Sequence, residues 1–223
     1  MKKLVYFLLL SLVTGLFSCV GEKQKLLQEQ LQQKQKGYDS LYNYIEKNDS
    51  LLIYKEVGAF DYIFTNRPGK YIWAFIRINK PERSVEDISL VLNGYNGFSI
   101  PNDTTEAILE ILNNNTKFKT NVTSLLINPT RMYMHNYAVD KSNLWILQNE
   151  QLDSFLRQLN DSSYIKIEIP SGVFKSNVGK EYDEILNNNP HVFSCLDTLD
   201  VKNLILVRDY YYKFKKLDEL VKP

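Results

Sequence analysis

A chain of 223 residues with 44% hydrophobic and 24% charged side chains has the composition of one globular domain with an extension, and is neither disordered nor collagen-like. Its 27 Lys plus Arg against 26 Asp plus Glu leave a formal charge of +1, which gives no basic footprint for nucleic acid. Two Cys and two His exclude a disulfide-stapled scaffold and a multi-Cys zinc ribbon.

At the N-terminus Lys2 and Lys3 precede the apolar run Leu4 to Val13, then Thr14-Gly15 and Leu16-Phe17-Ser18-Cys19. A basic start, a short apolar segment and a small residue before the cut are the marks of a secretory signal peptide. The run falls short of the roughly twenty apolar residues a spanning helix needs. The tetrad Leu16-Phe17-Ser18-Cys19 resembles the lipobox of bacterial lipoproteins. That resemblance implies cleavage behind Ser18, a thioether-linked diacylglycerol and an amide-linked acyl chain on Cys19, and residence in the cell envelope, at the outer membrane, facing the periplasm or the cell surface. Two or three acyl chains anchor stably where one is marginal, each buried methylene contributing about 0.8 kcal/mol. Acylation of Cys19 leaves Cys195 without an internal partner, as a small buried apolar residue.

Asp-Ser/Thr dipeptides supply a second mark. Asp39-Ser40-Leu41, Asp49-Ser50-Leu51, Asp103-Thr104-Thr105 and Asp197-Thr198-Leu199 resemble the Asp-Ser/Thr-apolar acceptor sites at which one phylum of Gram-negative bacteria attaches O-glycans. Candidate acceptors are therefore Ser40, Ser50, Thr104 and Thr198, provided their backbone lies in exposed loops or linkers. The competing reading is that Asp-Ser and Asp-Thr are ordinary helix starts and turns.

In chain order, Glu22 to Lys36 is nearly all Gln, Lys, Glu and Leu, good helix formers without Pro. Leu27, Leu31, Lys34, Tyr38, Leu41, Ile45, Asn48, Leu52 and Lys55 recur at spacings of four and three, a seam interrupted by Gly37 and by polar Lys34 and Asn48. The division is signal peptide 1–18, polar tether 19–36, amphipathic helix 37–58 and domain 59–223, the helix proper running from Tyr38 to Lys55. Phe60 to Thr65 and Tyr71 to Ile78 read as a hairpin about Asn66-Arg67-Pro68-Gly69, followed by a strand at Ile88 to Leu92. Asp103 to Asn113 reads as a helix capped by Asp103, from Ala107, Ile108, Ile111 and Leu112. Strands are expected at Thr123 to Ile127, around Arg131 to Val139 and at Leu144 to Leu147, then a helix over Asn149 to Leu159 with Leu152, Phe155, Leu156 and Leu159 on one face. Tyr164 to Ile169 reads as a strand, Glu181 to Leu186 as a short helix and Asn203 to Val207 as a strand. Tyr210 to Leu220 fits either class. The fold class is α+β, a mixed or antiparallel sheet with several short helices behind an N-terminal helix. The hexamer Glu110 to Asn115 recurs identically at Glu184 to Asn189, read as a coincidence of biased composition, with an old duplication of a helix-strand unit as the alternative.

No nucleophile elbow, phosphate loop, dinucleotide fingerprint or His-Glu-x-x-His is present. Ser163-x-x-Lys166 opens an alternating strand rather than a helix, so it lacks the geometry of a Ser-Lys nucleophile. His191 and Cys195 are placed too irregularly for a nucleophilic pair. The sequence assigns no catalytic residue, cofactor or metal. It carries 15 Tyr, and Tyr favours recognition surfaces because it joins a rigid face to a polar tip. The group at Tyr38, Tyr42, Tyr44 and Tyr54 and the group at Tyr210, Tyr211 and Tyr212 are the expected exposed patch. The reading is a membrane-anchored, non-enzymatic module for a protein partner or glycan, with no nucleic-acid role and scope for homo-oligomerisation. The alternatives are a wall or glycan hydrolase with a motif-free carboxylate site, and a spacer that oligomerises through its N-terminal helix.

Overall fold

The structure, a computed structural model, describes residues 2–55, 58–66, 72–92, 98–99, 105–124, 133–134, 137–138, 144–146, 149–169, 175–176, 184, 188, 191–195 and 198–221. Side chains of residues 2–21, of Thr198, of β13 and of several other strand positions, among them Trp73 and Trp145, lie outside the description.

Helix α1 spans Lys2–Lys47, and strands β1 Leu51–Lys55, β2 Phe60–Thr65, β3 Ile72–Asn79 and β4 Ser84–Leu92 follow. After the short β5 Phe98–Ser99 come β6 Thr105–Ile111 and β7 Thr116–Ser124, the two-residue β8 Tyr133–Met134 and β9 Tyr137–Ala138, and β10 Leu144–Ile146. Helix α2 Glu150–Gln158, β11 Ile165–Ile169, β12 Lys175–Ser176, β13 His191–Cys195 and helix α3 Thr198–Asp218 complete the order, α3 ending in a 3-10 turn at Glu219–Val221.

Nine strands form one sheet in the order β1-β2-β3-β4-β10-β7-β6-β11-β13, antiparallel at each pairing. The chain lays down a four-strand meander, then a second antiparallel group, and β10 returns to join them, with Trp145 in register with both Val91 and Thr123. The fold is α+β, as the composition of its segments led us to expect. β5 pairs with β12 and β8 with β9 in separate small ladders.

Helices α1, α2 and α3 pack on the same sheet face: α3 on β2, β3 and β4, α2 on β7, α1 on β1. Alternation along each strand supplies that face. Ile72, Ala74, Ile76 and Ile78 of β3, Ala107, Leu109 and Ile111 of β6, and Ile165, Ile167 and Ile169 of β11 are buried in a continuous core with Leu204, Val207 and Phe214 of α3. Between Arg77 and Ile78 the β3–β4 register shifts by one residue, a bulge that leaves Glu86 unpaired.

Helix α2 forms where its pattern placed it. Leu152, Phe155, Leu156 and Leu159 are buried, and Asn149 caps the start, its Oδ1 accepting from the Leu152 N–H at 2.8 Å. Asn149 also donates to Thr120 Oγ1 of β7 at 3.1 Å, and Arg208 of α3 donates to the Leu156 and Leu159 carbonyls at 3.1 and 2.6 Å. Asn149→Ala is expected to cost about 1 kcal/mol, read as a lowered urea midpoint with unchanged slope.

Three expectations are corrected. Thr105–Ile111 is strand rather than helix: Ala107, Leu109 and Ile111 are buried at period two while Glu106 is exposed, and hydrogen-bond ladders to both β7 and β11 stabilise the extended form. Asn203 to Val207 is helix, inside α3, whose residues are apolar on most sides because the sheet, α1 and α2 all contact it. The helix expected to Lys55 ends at Lys47, and Leu51–Lys55 is the edge strand β1. The Asn149-capped helix, the β2–β3 hairpin and the strands ending at Ile146 and Ile169 lie within two residues of the expected bounds. The expected Asn66 turn and the Glu181 helix fall mostly outside the described residues.

Candidate functional site

Most of the tyrosines expected to form an exposed patch are interior, with Tyr44, 56% exposed, and half-exposed Tyr54 as the exceptions. Tyr38, Tyr42, Tyr210 and Tyr211 are buried and Tyr212 half-buried, because the heptad-like seam of α1 meets the apolar side of α3. Phe214 of α3 lies with its ring centroid 5.0 Å from that of Tyr38 and 6.0 Å from that of Tyr42. Tyr38 OH donates to Asp218 Oδ1 at 2.9 Å, and Tyr42 OH to Asp61 Oδ2 at 3.1 Å. Burial first, and then the neighbouring carboxylates, push both phenols well above the usual tyrosine range. Tyr212 OH donates to Asp153 Oδ1 of α2 at 2.7 Å, beneath the Arg157 guanidinium. These hydroxyls tie helices to each other and to the sheet; they are not free to read a ligand.

Asp153 carries a pH dependence. Burial alone would raise its carboxyl, but hydrogen bonds from Arg157 and Tyr212 outweigh it and hold the group below the usual range. The stabilisation is present above the unfolded-state value near 3.9 and is lost as pH falls through the lower folded value. Asp153→Asn is therefore expected to flatten the fall in urea midpoint between pH 5 and pH 2, roughly the span over which a depressed Asp releases its contribution.

The sequence-level acceptor residues fall in different settings. Ser50 is exposed in the turn between α1 and β1, where its N–H donates to Asn48 Oδ1 at 3.2 Å. Ser40 is exposed but helical, lining a shallow depression with Lys36, Asp39, Asn43, Tyr44 and Lys47. Thr198 is the first residue of α3, and Thr104 lies outside the described residues. Among the described acceptors only Ser50 joins exposure to a non-helical backbone. Cys19 sits on the backbone of α1. His191 and Cys195 occupy opposite ends of β13, in register with Ile169 and Ile165; four strand rises of about 3.3 Å put their Cα atoms about 13 Å apart, too far for a nucleophile and its base. Lys166, one turn of sequence after Ser163, is held in the sheet by Glu168 at 2.8 Å and Glu110 at 3.9 Å, while Ser163 Oγ accepts from the Asn160 N–H.

The sheet face opposite α1, α2 and α3, which no helix covers among the described residues, has two characters. Over β7, β6 and β11 it is a ladder of ion pairs: Lys119 with Glu106 at 3.1 Å, Lys117 with Glu110 at 3.6 Å, and Lys166 between Glu110 and Glu168. Lys117 and Lys119 are largely exposed, so these pairs define a solvated surface more than they stabilise it. Each of these carboxylates has an ammonium partner, an arrangement that spreads charge rather than poising an acid and a base. Among the described residues no group of three or more His, Cys, Asp or Glu is placed to hold a metal ion.

Over β1 to β4 the same face is aromatic. Leu52, Tyr54 and Tyr62 pack half-exposed around buried Phe64, Phe75 and Val91. The rings of Tyr62 and Phe75 lie 5.7 Å apart. Half-exposed Phe60 sits with the Arg77 guanidinium 4.9 Å from its centroid, and Arg77 pairs with Asp87 across the β3–β4 ladder. Burial raises the Asp87 carboxyl, more than its pairing with Arg77 lowers it. Sequence reasoning singled out Tyr54 only as one of a tyrosine group and overlooked Tyr62, Phe60 and Arg77. The available signal was alternation: Phe60, Tyr62 and Phe64 lie on one side of β2, opposite Asp61 and Ile63, which face the helices.

No family model, no curated protein and no solved structure matches this chain.

Proposed function

We propose that this chain is a membrane-anchored envelope lipoprotein whose α+β domain is a non-enzymatic binding module, and that the face of β1 to β4 opposite the three helices is its recognition surface. The observation that carries the reading is the gathering of half-exposed Tyr54, Phe60 and Tyr62 beside Arg77 on that face, while the helices cover the other. Aromatic rings with an adjacent guanidinium are the residue types that dominate recognition surfaces. The Leu16 to Cys19 tetrad supplies the anchor by resemblance.

Two measurements test this. Cells fed labelled palmitate are expected to incorporate it into the full chain and not into Cys19→Ser, which should leave the membrane fraction; a variant that stays labelled and membrane-bound contradicts the anchor. Crosslinking the full chain in membranes is expected to capture a partner protein or glycan, whereas turnover of purified wall fragments would favour the hydrolase.

A spacer role has one observation of its own: Leu26, Leu27 and Leu31 of α1 are exposed beyond the packed seam. Self-pairing through them would make the mass by light scattering depend on concentration.

A further inference from the structure

We infer that Asp218 locks a hinge at Gly37, fixing the direction in which α1 leaves the domain. The clamp is built on one carboxylate. Asp218 Oδ1 accepts from Tyr38 OH at 2.9 Å and pairs with Lys34 Nζ at 3.0 Å, while Oδ2 accepts from the Val85 N–H of β4 at 2.8 Å. Lys34 and Tyr38 lie on either side of Gly37, so the carboxylate bridges the two turns that flank the glycine and fastens both to the sheet. Lys34 and Asp218 are only 12% and 19% exposed, which shelters the pair from solvent and salt.

Gly37 is the weak point that such a clamp would hold. Glycine in a helix interior restricts the backbone least, and sharp bends concentrate at such residues. Its retention has a steric cause: a Cβ there would lie 2.5 Å from Leu217 Cδ2 and 3.3 Å from Leu217 Cγ, so α1 and α3 approach too closely for a larger residue unless Leu217 moves. The Lys34–Asp218 pair lies toward the N-terminal end of the contact between α1 and the rest of the domain, and beyond it Leu26, Leu27 and Leu31 stand 56%, 47% and 48% exposed. With the clamp closed, α1 is a stiff extension that sets the domain's orientation to whatever holds residue 19. With it open, the segment before Gly37 pivots. The lock concerns the domain itself; its use in orienting the module rests on the anchored reading.

The test is a distance distribution between nitroxides carried on an unnatural ketone-bearing residue at exposed positions Gln28 and Gln151 of the full chain. The unaltered chain is expected to give a narrow distribution, and Asp218→Ala one at least about twice as wide, as a freed glycine bend allows. Lys34→Gln with Tyr38→Phe, which keeps the packed ring, should widen it too and covers the case in which Asp218→Ala does not fold. Adding Gly37→Ala, with Leu217→Ala to clear the new methyl, should narrow the distribution again. A broad distribution in the unaltered chain, an unchanged width once the clamp is removed, or a width that Gly37→Ala does not reduce would each overturn the lock. Palmitate labelling reads the anchor separately, so failure of one idea is not mistaken for failure of the other.

Discussion

Phe214→Ala is expected to destabilise the domain by about 3–5 kcal/mol, the range for deleting a buried phenyl group. Phe214 has no exposed surface and fills the junction of α1, α3 and the sheet against Tyr38 and Tyr42. Removing the ring leaves two tyrosines whose hydroxyls are fixed by Asp218 and Asp61 and which cannot move into the space without losing those bonds. The cavity should therefore stay open, placing the cost toward the upper end. Domains of this kind have a total stability of about 5–15 kcal/mol, so the variant should unfold at a much lower urea concentration. Leu199→Ala in the same helix, at a position 41% exposed, should stay within about 0.5 kcal/mol of the parent. Equal effects at the two positions would contradict the burial of α3.

The second large effect is on binding. Replacing Tyr54 and Tyr62 together by alanine is expected to reduce partner capture from membranes at least about tenfold, since truncating an aromatic anchor at an interface typically costs about 2 kcal/mol or more. Both rings are half-exposed at the rim of the small Phe64, Phe75 and Val91 cluster, so stability should fall far less than for Phe214→Ala. Capture unchanged in a folded double variant would move the recognition surface elsewhere.

How far the sequence was readable depends on how many interpretations each segment allowed. Helix α2 was legible because Leu152, Phe155, Leu156 and Leu159 form a stripe that no strand could use. The β2–β3 hairpin was legible from two β-rich runs around a turn cluster. Strand β6 was not, because Ala107, Ile108, Ile111 and Leu112 satisfy a helical spacing as well as Ala107, Leu109 and Ile111 satisfy an alternating one. Seven residues are too few to separate the periods, and pairing with β7 and β11 decides the matter. Helix α3 failed for another reason: Leu204 to Val207 and three consecutive tyrosines carry strand propensity, which tertiary contacts on several sides override.

The candidate site was misread through the same ambiguity. A tyrosine at Tyr38 or Tyr212 looks equally suited to an exposed patch and to a helix interface, and only the partner helix shows that its hydroxyl is already committed. Lys34 on the seam looked like a defect in a coiled coil; it is instead the cationic arm of the Asp218 clamp. Gly37 looked like a helix interruption, whereas α1 continues through it and the glycine admits Leu217. Alternation along β2 groups Phe60 with Tyr62, but only the strand register brings Arg77 of β3 beside them.

Site-specific photo-crosslinking in intact cells tests the central claim most directly. A benzophenone side chain placed at Tyr62 on the sheet face opposite the three helices is compared with one at Lys213, exposed on the helical side. Adducts with a partner protein or glycan from Tyr62 and not from Lys213 are the predicted result. Adducts from Lys213 alone, or from neither position, would contradict the assignment of that face as the recognition surface.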